Sequence, residues 1–134
     1  MKEMKDKQVL IVGMARSGVA AARMLSRLGA KLTLTDTRNS EQMASAIEQL
    51  RDIDANWQLG VEPDALIEGK DYIILSPSVY YWAPWVEKAK QNGTEVVSEL
   101  QLGAWFTQGD FVAVTGTNGK TTPTTLIGEI FKAN

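Results

Sequence analysis

The chain has 134 residues, 44% of them hydrophobic and 22% charged, with a formal net charge of −2. That describes one ordinary globular domain with a core, and the slight acidity argues against a general nucleic-acid or anionic-membrane binder. The absence of cysteine and histidine excludes disulfides, thiolate metal sites and imidazole catalysis. The charged N-terminus is followed by no apolar signal segment, and no run reaches transmembrane length.

Residues 8–12, Gln-Val-Leu-Ile-Val, form a short β-branched run that ends at Gly13. The run reads as a buried parallel strand. A turn over 13–18 follows. From Ser17 the apolar residues Val19, Ala20, Met24, Leu25 and Leu28 recur at helical spacing, and Gly29 stops the helix. Residues 31–35 predict a second strand, closing a βαβ unit at Asp36-Thr37-Arg38. Ser40 is the expected N-cap of a helix running to about Leu50 or Ile53. Residues 57–59 predict a short strand, 64–67 one helical turn, and 71–75 a strand ending at Ser76-Pro77-Ser78-Val79. Residues 84–91 predict a helix opened by Pro84 and closed near Asn92-Gly93. A strand over 95–97 precedes a helix from Ser98 to Trp105 or Phe106. The run 111–115 predicts a last strand, followed by a glycine loop and a helix from about Lys120 to Phe131.

Strand and helix alternate throughout, which predicts an α/β, Rossmann-like, doubly wound and mostly parallel sheet. The natural boundary falls near Gln108-Gly109-Asp110. It divides a nucleotide-type domain over 1–109 from a segment over 110–134 that opens a second unit.

Two turns have the composition of phosphate sites. The later one reads Gly116-Thr117-Asn118-Gly119-Lys120-Thr121-Thr122. A strand feeding a glycine loop at a helix N-terminus offers unpaired N–H groups and positive partial charge to an anion. Lys120 adds a full charge, and the Thr121 hydroxyl suits a magnesium ion shared with a nucleotide. The strict Walker pattern fails because Val114 stands where it needs a glycine. Pro123 lies in the first helical turn, where its missing N–H costs little. The bland alternative is a plain strand-to-helix turn with a surface lysine. The earlier turn, 13–18, departs from the dinucleotide fingerprint: Ala15 takes the middle glycine's place beside the bulky Arg16. Asp36 ends the second strand, where an acidic residue meets a ribose or base edge, or else caps its own turn. Arg38 is either a diphosphate partner or a solvated loop cation.

These segments, with Ser76-Pro77 and Ser98-Glu99, occur in one order that resembles the N-terminal part of the Mur ligase family, over essentially the whole chain. The phosphate loop alone fits several Mur ligases and folylpolyglutamate synthetases. The N-terminal βαβ unit and the Asp-Thr-Arg triplet narrow the likeness to the branch that adds D-glutamate to UDP-N-acetylmuramoyl-L-alanine.

The resemblance implies a three-domain cytoplasmic enzyme of peptidoglycan synthesis. Its first domain holds the UDP end of the substrate, its central domain binds ATP and Mg2+, and its third helps bind the amino acid. Such an enzyme phosphorylates the substrate carboxylate, and the D-glutamate amine then displaces phosphate from the acyl phosphate. By position, Arg16 and Ser17 would lie near the uracil or diphosphate. Asp36, Thr37 and Arg38 would bind the uridine part, with Ser76 near the same pocket. Thr117, Asn118, Gly119, Lys120, Thr121 and Thr122 would bind ATP, with Thr121 on the metal.

The likeness breaks in two places. The sequence stops at Asn134, before the family's further metal ligands, modified lysine and amino-acid site, so this polypeptide alone is expected not to form the amide bond. The segment after Ser76 has Ser78 where the family usually has glycine and Tyr80 where it usually has proline. It gathers Tyr80, Tyr81, Trp82 and Trp85 within six residues. Those side chains either shield the loop, with Trp85 packing on the sheet, or form a contact surface for self-association or for a designed partner. An isolated or engineered Rossmann-like binding scaffold is therefore a second reading. An NAD-type oxidoreductase domain is a third, opposed by Ala15 and the second phosphate loop.

Overall fold

A computed structural model describes residues 2–133. Five strands form one sheet in the order β3-β2-β1-β4-β5. They are β1 (Gln8–Val12), β2 (Lys31–Asp36), β3 (Ala55–Leu59), β4 (Tyr72–Leu75) and β5 (Glu95–Ser98). All four pairings are parallel. Helices α1 (Arg16–Arg27), α2 (Ala44–Gln49) and α3 (Pro84–Gln91) and a 3-10 turn at Pro63–Leu66 fill the connections between strands, and α4 (Glu99–Phe106) follows β5. A last helix, α5 (Thr121–Ala133), follows the second glycine loop.

Parallel strands covered on both faces read as continuous apolar runs. Alternation along β1 divides the run between two cores. Val9 and Ile11 join Leu32, Leu34, Ile74 and Val97 in one core with Ala22 and Leu25 of α1. Leu10 and Val12 join Ile73, Leu75 and Val96 in the other, under Val86 and Ala89 of α3. β1 is the central strand, and four of its five residues are buried.

Two expected elements differ. Ser40 does not cap α2. Asn39 and Gln42 cap each other instead: the Gln42 N–H donates to Asn39 Oδ1 at 3.0 Å and the Asn39 N–H to Gln42 Oε1 at 3.1 Å. This reciprocal pair has the logic of a capping box. It ties a turn over 40–43, so that regular helix begins at Ala44. Residues 111–115 form no strand. A strand exists through its ladder, and β5 pairs only with β4 among the described residues. Phe111 and Val112 are correspondingly more than half exposed.

Candidate functional site at the sheet's switch point

The sheet order reverses between β1 and β4, so the turns leaving their carboxyl ends diverge and open a crevice. A cleft of about 570 Å³ lies there. Gly13, Ala15, Thr37, Arg38, Val79 and Trp85 are among its lining residues.

The β1–α1 turn is tied on three sides. The Gly13 N–H donates to the Thr35 carbonyl at 2.9 Å. Ser76 Oγ donates to the Gly13 carbonyl at 2.7 Å. The Met14 N–H donates to Asp36 Oδ2 at 2.8 Å. Gly13 has φ +91°, and a Cβ there would stand 2.8 Å from the Ser76 Cβ. At Gly18 a Cβ would stand 2.0 Å from the Gly13 carbonyl oxygen. The first and last glycines of the turn therefore answer to backbone conformation and to close helix–turn packing.

Asp36 is buried at the end of β2. Besides Met14 it accepts three bonds from Arg38: from the backbone N–H at 3.0 Å, from Nε at 2.9 Å and from an Nη at 2.8 Å. Two carboxylate oxygens offer about four lone-pair sites, and all four are taken within the chain. The Arg38 side-chain bonds hold the Asp36 carboxyl far below the usual carboxylate range. Burial opposes them, and the Met14 and Arg38 N–H groups reinforce them. The same pair raises Arg38 above its ordinary value. Arg38 keeps almost half of its side-chain surface exposed, so a fixed positive group faces the cleft.

The expected site residues divide accordingly. Asp36, Thr37 and Arg38 line the cleft, while Ser76 is buried behind it as a strut for Gly13. Arg16 is exposed at the first position of α1. Ser17 borders a small hollow between α1 and α4, beside Glu99 and Leu102. Glu62, Pro63, Ser78 and Trp85 line the cleft as well. Periodicity marked the proline-led turn and α3 as elements but did not show which of their residues reach the crevice.

The second glycine loop is built differently. Residues 115–122 are all exposed. Lys120 Nζ donates to the Gly116 carbonyl at 2.7 Å, and Thr124 Oγ1 and Thr125 Oγ1 turn back onto the carbonyls of Lys120 and Thr121. No residue of α5 is buried. The donor set suits a nucleotide phosphate and magnesium: one lysine, two adjacent threonines and the unpaired amides of a helix start. Among the described residues no cluster of acidic side chains stands ready to hold a metal without a nucleotide. No helix there is long and apolar enough to cross a membrane.

A family model described as the N-terminal domain of MurD-like Mur ligases matches residues 7–98. UDP-N-acetylmuramoylalanine–D-glutamate ligases are similar over almost the whole chain. The one from Geobacter sp. strain M21 is 45% identical over 131 residues, and that from Geotalea daltonii is 46% identical over 131 residues. Each match covers 98% of this chain and 29% of the relative, so the chain spans under a third of the curated relatives' length. Among solved structures, a pseudomurein peptide ligase type C from Methanothermus fervidus superposes with a TM-score of 0.58 at 24% identity. That match covers 96% of this chain and 26% of the other. Shikimate dehydrogenase from Aquifex aeolicus superposes with a TM-score of 0.51 at 18% identity, over 77% of this chain and 46% of the other. Both likenesses concern the fold. With more than half of its length matched by the family model and these two relatives at 45% and 46% identity over almost the whole chain, the chain belongs to the MurD-like Mur ligases and corresponds to their N-terminal part.

Proposed function

We propose that the chain holds the UDP end of UDP-N-acetylmuramoyl-L-alanine in the switch-point cleft, as the first part of a cytoplasmic ATP-dependent ligase that adds D-glutamate. The observation that carries this reading is the arrangement of Asp36. Its carboxylate pins the β1–α1 turn through Met14 and aims Arg38 at the cleft. A guanidinium fixed in that way is preorganised for a diphosphate. Thr37 is exposed beside it and lines the same space. Arg16, at the start of α1, adds a second cation near the turn.

The arrangement also speaks against a dinucleotide. In NAD-binding sheets the acidic residue after the second strand receives the ribose hydroxyls. Here that carboxylate has no acceptor capacity left.

Residues 110–134 open the central ATP-binding domain on this reading. Lys120, Thr121, Thr122 and the amides of 117–119 would hold the ATP phosphates, with Thr121 Oγ1 on Mg2+. Bound ATP supplies the phosphoryl group that activates the substrate carboxylate as an acyl phosphate, from which the D-glutamate amine displaces phosphate.

Calorimetry with UDP, ATP and NAD tests the proposal. UDP is expected to bind, with at least a tenfold loss in Arg38→Ala, since charge-assisted bonds to arginine contribute about 1.5–3 kcal/mol. NAD is expected not to bind. Silence towards UDP overturns the reading, and silence towards all three ligands favours the alternative of a protein-binding scaffold. That alternative rests on Tyr80 and Trp82, which are 70% and 67% exposed.

A further inference from the structure

The cleft has two unlike sides. Thr35, Asp36, Thr37 and Arg38 form a polar side along the end of β2, and Val79 and Trp85 bring apolar surface from the connection after β4. Trp85 is the second residue of α3, directly after Pro84, whose fixed φ sets the start of the helix. The indole is half-buried against the second core, alongside Val79, and also borders the cleft. It is therefore both anchored and presented. The neighbouring aromatics are engaged elsewhere. Tyr81 and Trp82 meet edge to face at 5.3 Å, with Lys90 Nζ 4.3 Å from the Tyr81 ring centroid. Among the described residues Trp85 is the one aromatic side chain that lines this cleft.

A uridine nucleotide has the same division of character. Its diphosphate needs fixed positive charge, its ring edge needs hydrogen-bonding groups, and its flat ring needs an apolar or π surface. We infer that Trp85 is the base-stacking residue of the cleft: its indole takes the face of the pyrimidine ring while Arg38 takes the diphosphate. This assignment rests on the proposed nucleotide site and adds a residue and a contact to it. Stacking of a base on an aromatic side chain is worth about tenfold in affinity or more, and it requires a planar base. It separates a planar base from a puckered one, which a charge clamp such as Arg38 does not do, since the diphosphate is the same in both.

The test is calorimetry with UDP and with its 5,6-dihydro analogue, whose puckered ring stacks poorly and whose diphosphate is unchanged. The wild-type chain is expected to prefer UDP by about tenfold. Trp85→Phe should keep most of that preference. Trp85→Leu, which supplies apolar bulk without a π face, should bind both ligands equally, with UDP weakened to about the level of the analogue. A Leu variant that binds UDP as well as wild type with the preference intact overturns the assignment and leaves the nucleotide site standing. If that variant fails to fold, the wild-type comparison decides, and equal binding of the two ligands overturns the assignment. If the wild type binds UDP not at all, the nucleotide site itself falls and the stacking role falls with it.

Discussion

The two glycine loops are alike in sequence design and opposite in structural support. Both run from an apolar segment through a glycine turn into a helix. The turn over 13–18 is locked by Thr35, Asp36 and Ser76, beneath a central strand. The turn over 116–120 bonds largely to itself and leads into a helix with no buried residue. A loop's residues thus specify which anion it suits. How firmly it is held depends on what packs around it, and that is decided by distant residues.

Breaking the tight loop should have the largest effect. In Gly18→Ala a methyl would stand 2.0 Å from the Gly13 carbonyl oxygen, so α1 must move off the turn. We expect a loss of about 4 kcal/mol in urea unfolding. Gly128→Ala, in α5 with nothing within 4 Å of the added carbon, should leave the same transition where it is.

Asp36→Ala ranks next. It leaves the buried Met14 N–H unpaired and releases Arg38, at an expected cost of about 3 kcal/mol at pH 7. The folded chain holds this carboxyl below its unfolded value. Its contribution is thus complete above about pH 4 and is lost as the pH falls below that value towards the folded one. The gap between wild type and variant should narrow under acid and stay constant between pH 6 and 8, read by urea unfolding at each pH.

The smallest effect is expected at the far end. Leu126 is 61% exposed on α5, so Leu126→Ser should change global stability by under about 0.5 kcal/mol. Amide hydrogen exchange sharpens the contrast. The amides of β1 should exchange only through global unfolding, and those of α5 by local fraying, because a helix of 13 residues without packing is marginal in water.

Most of the fold was legible because the parallel strands announce themselves. Val9 to Val12 and Ile73 to Leu75 are continuous apolar runs, and Pro84 and Gly29 mark helix limits by backbone chemistry. The run over 111–115 carries the same signal and forms no strand, since apolarity records the wish for a neighbour and not its presence. At α2 the serine looked like the cap, yet the Asn39–Gln42 pair closes the turn one residue earlier. At the site, Asp36, Thr37 and Arg38 were legible as a cluster, and the cap that Asp36 places on its own turn through the Arg38 N–H was one of its two expected readings, but its hold on the first turn was not. Its bond to Met14 joins residues of two different strand ends and exists only once β1 and β2 pair in register. Trp85 read as sheet packing, which is half of its role in the fold; its other border, on the cleft, depends on where the β4–α3 connection turns.

The strand order also sets a problem in time. β1 lies within residues 8–12, near the start of the chain, yet its second neighbour is β4 at residues 72–75. At about 5–20 residues per second the ribosome needs roughly 3–12 s to make the stretch between them. For that interval the central, largely apolar strand of the sheet has at least one edge unsatisfied. Nascent chains stalled between β2 and β4 are where a holdase or a neighbouring nascent chain would find this sequence most adhesive.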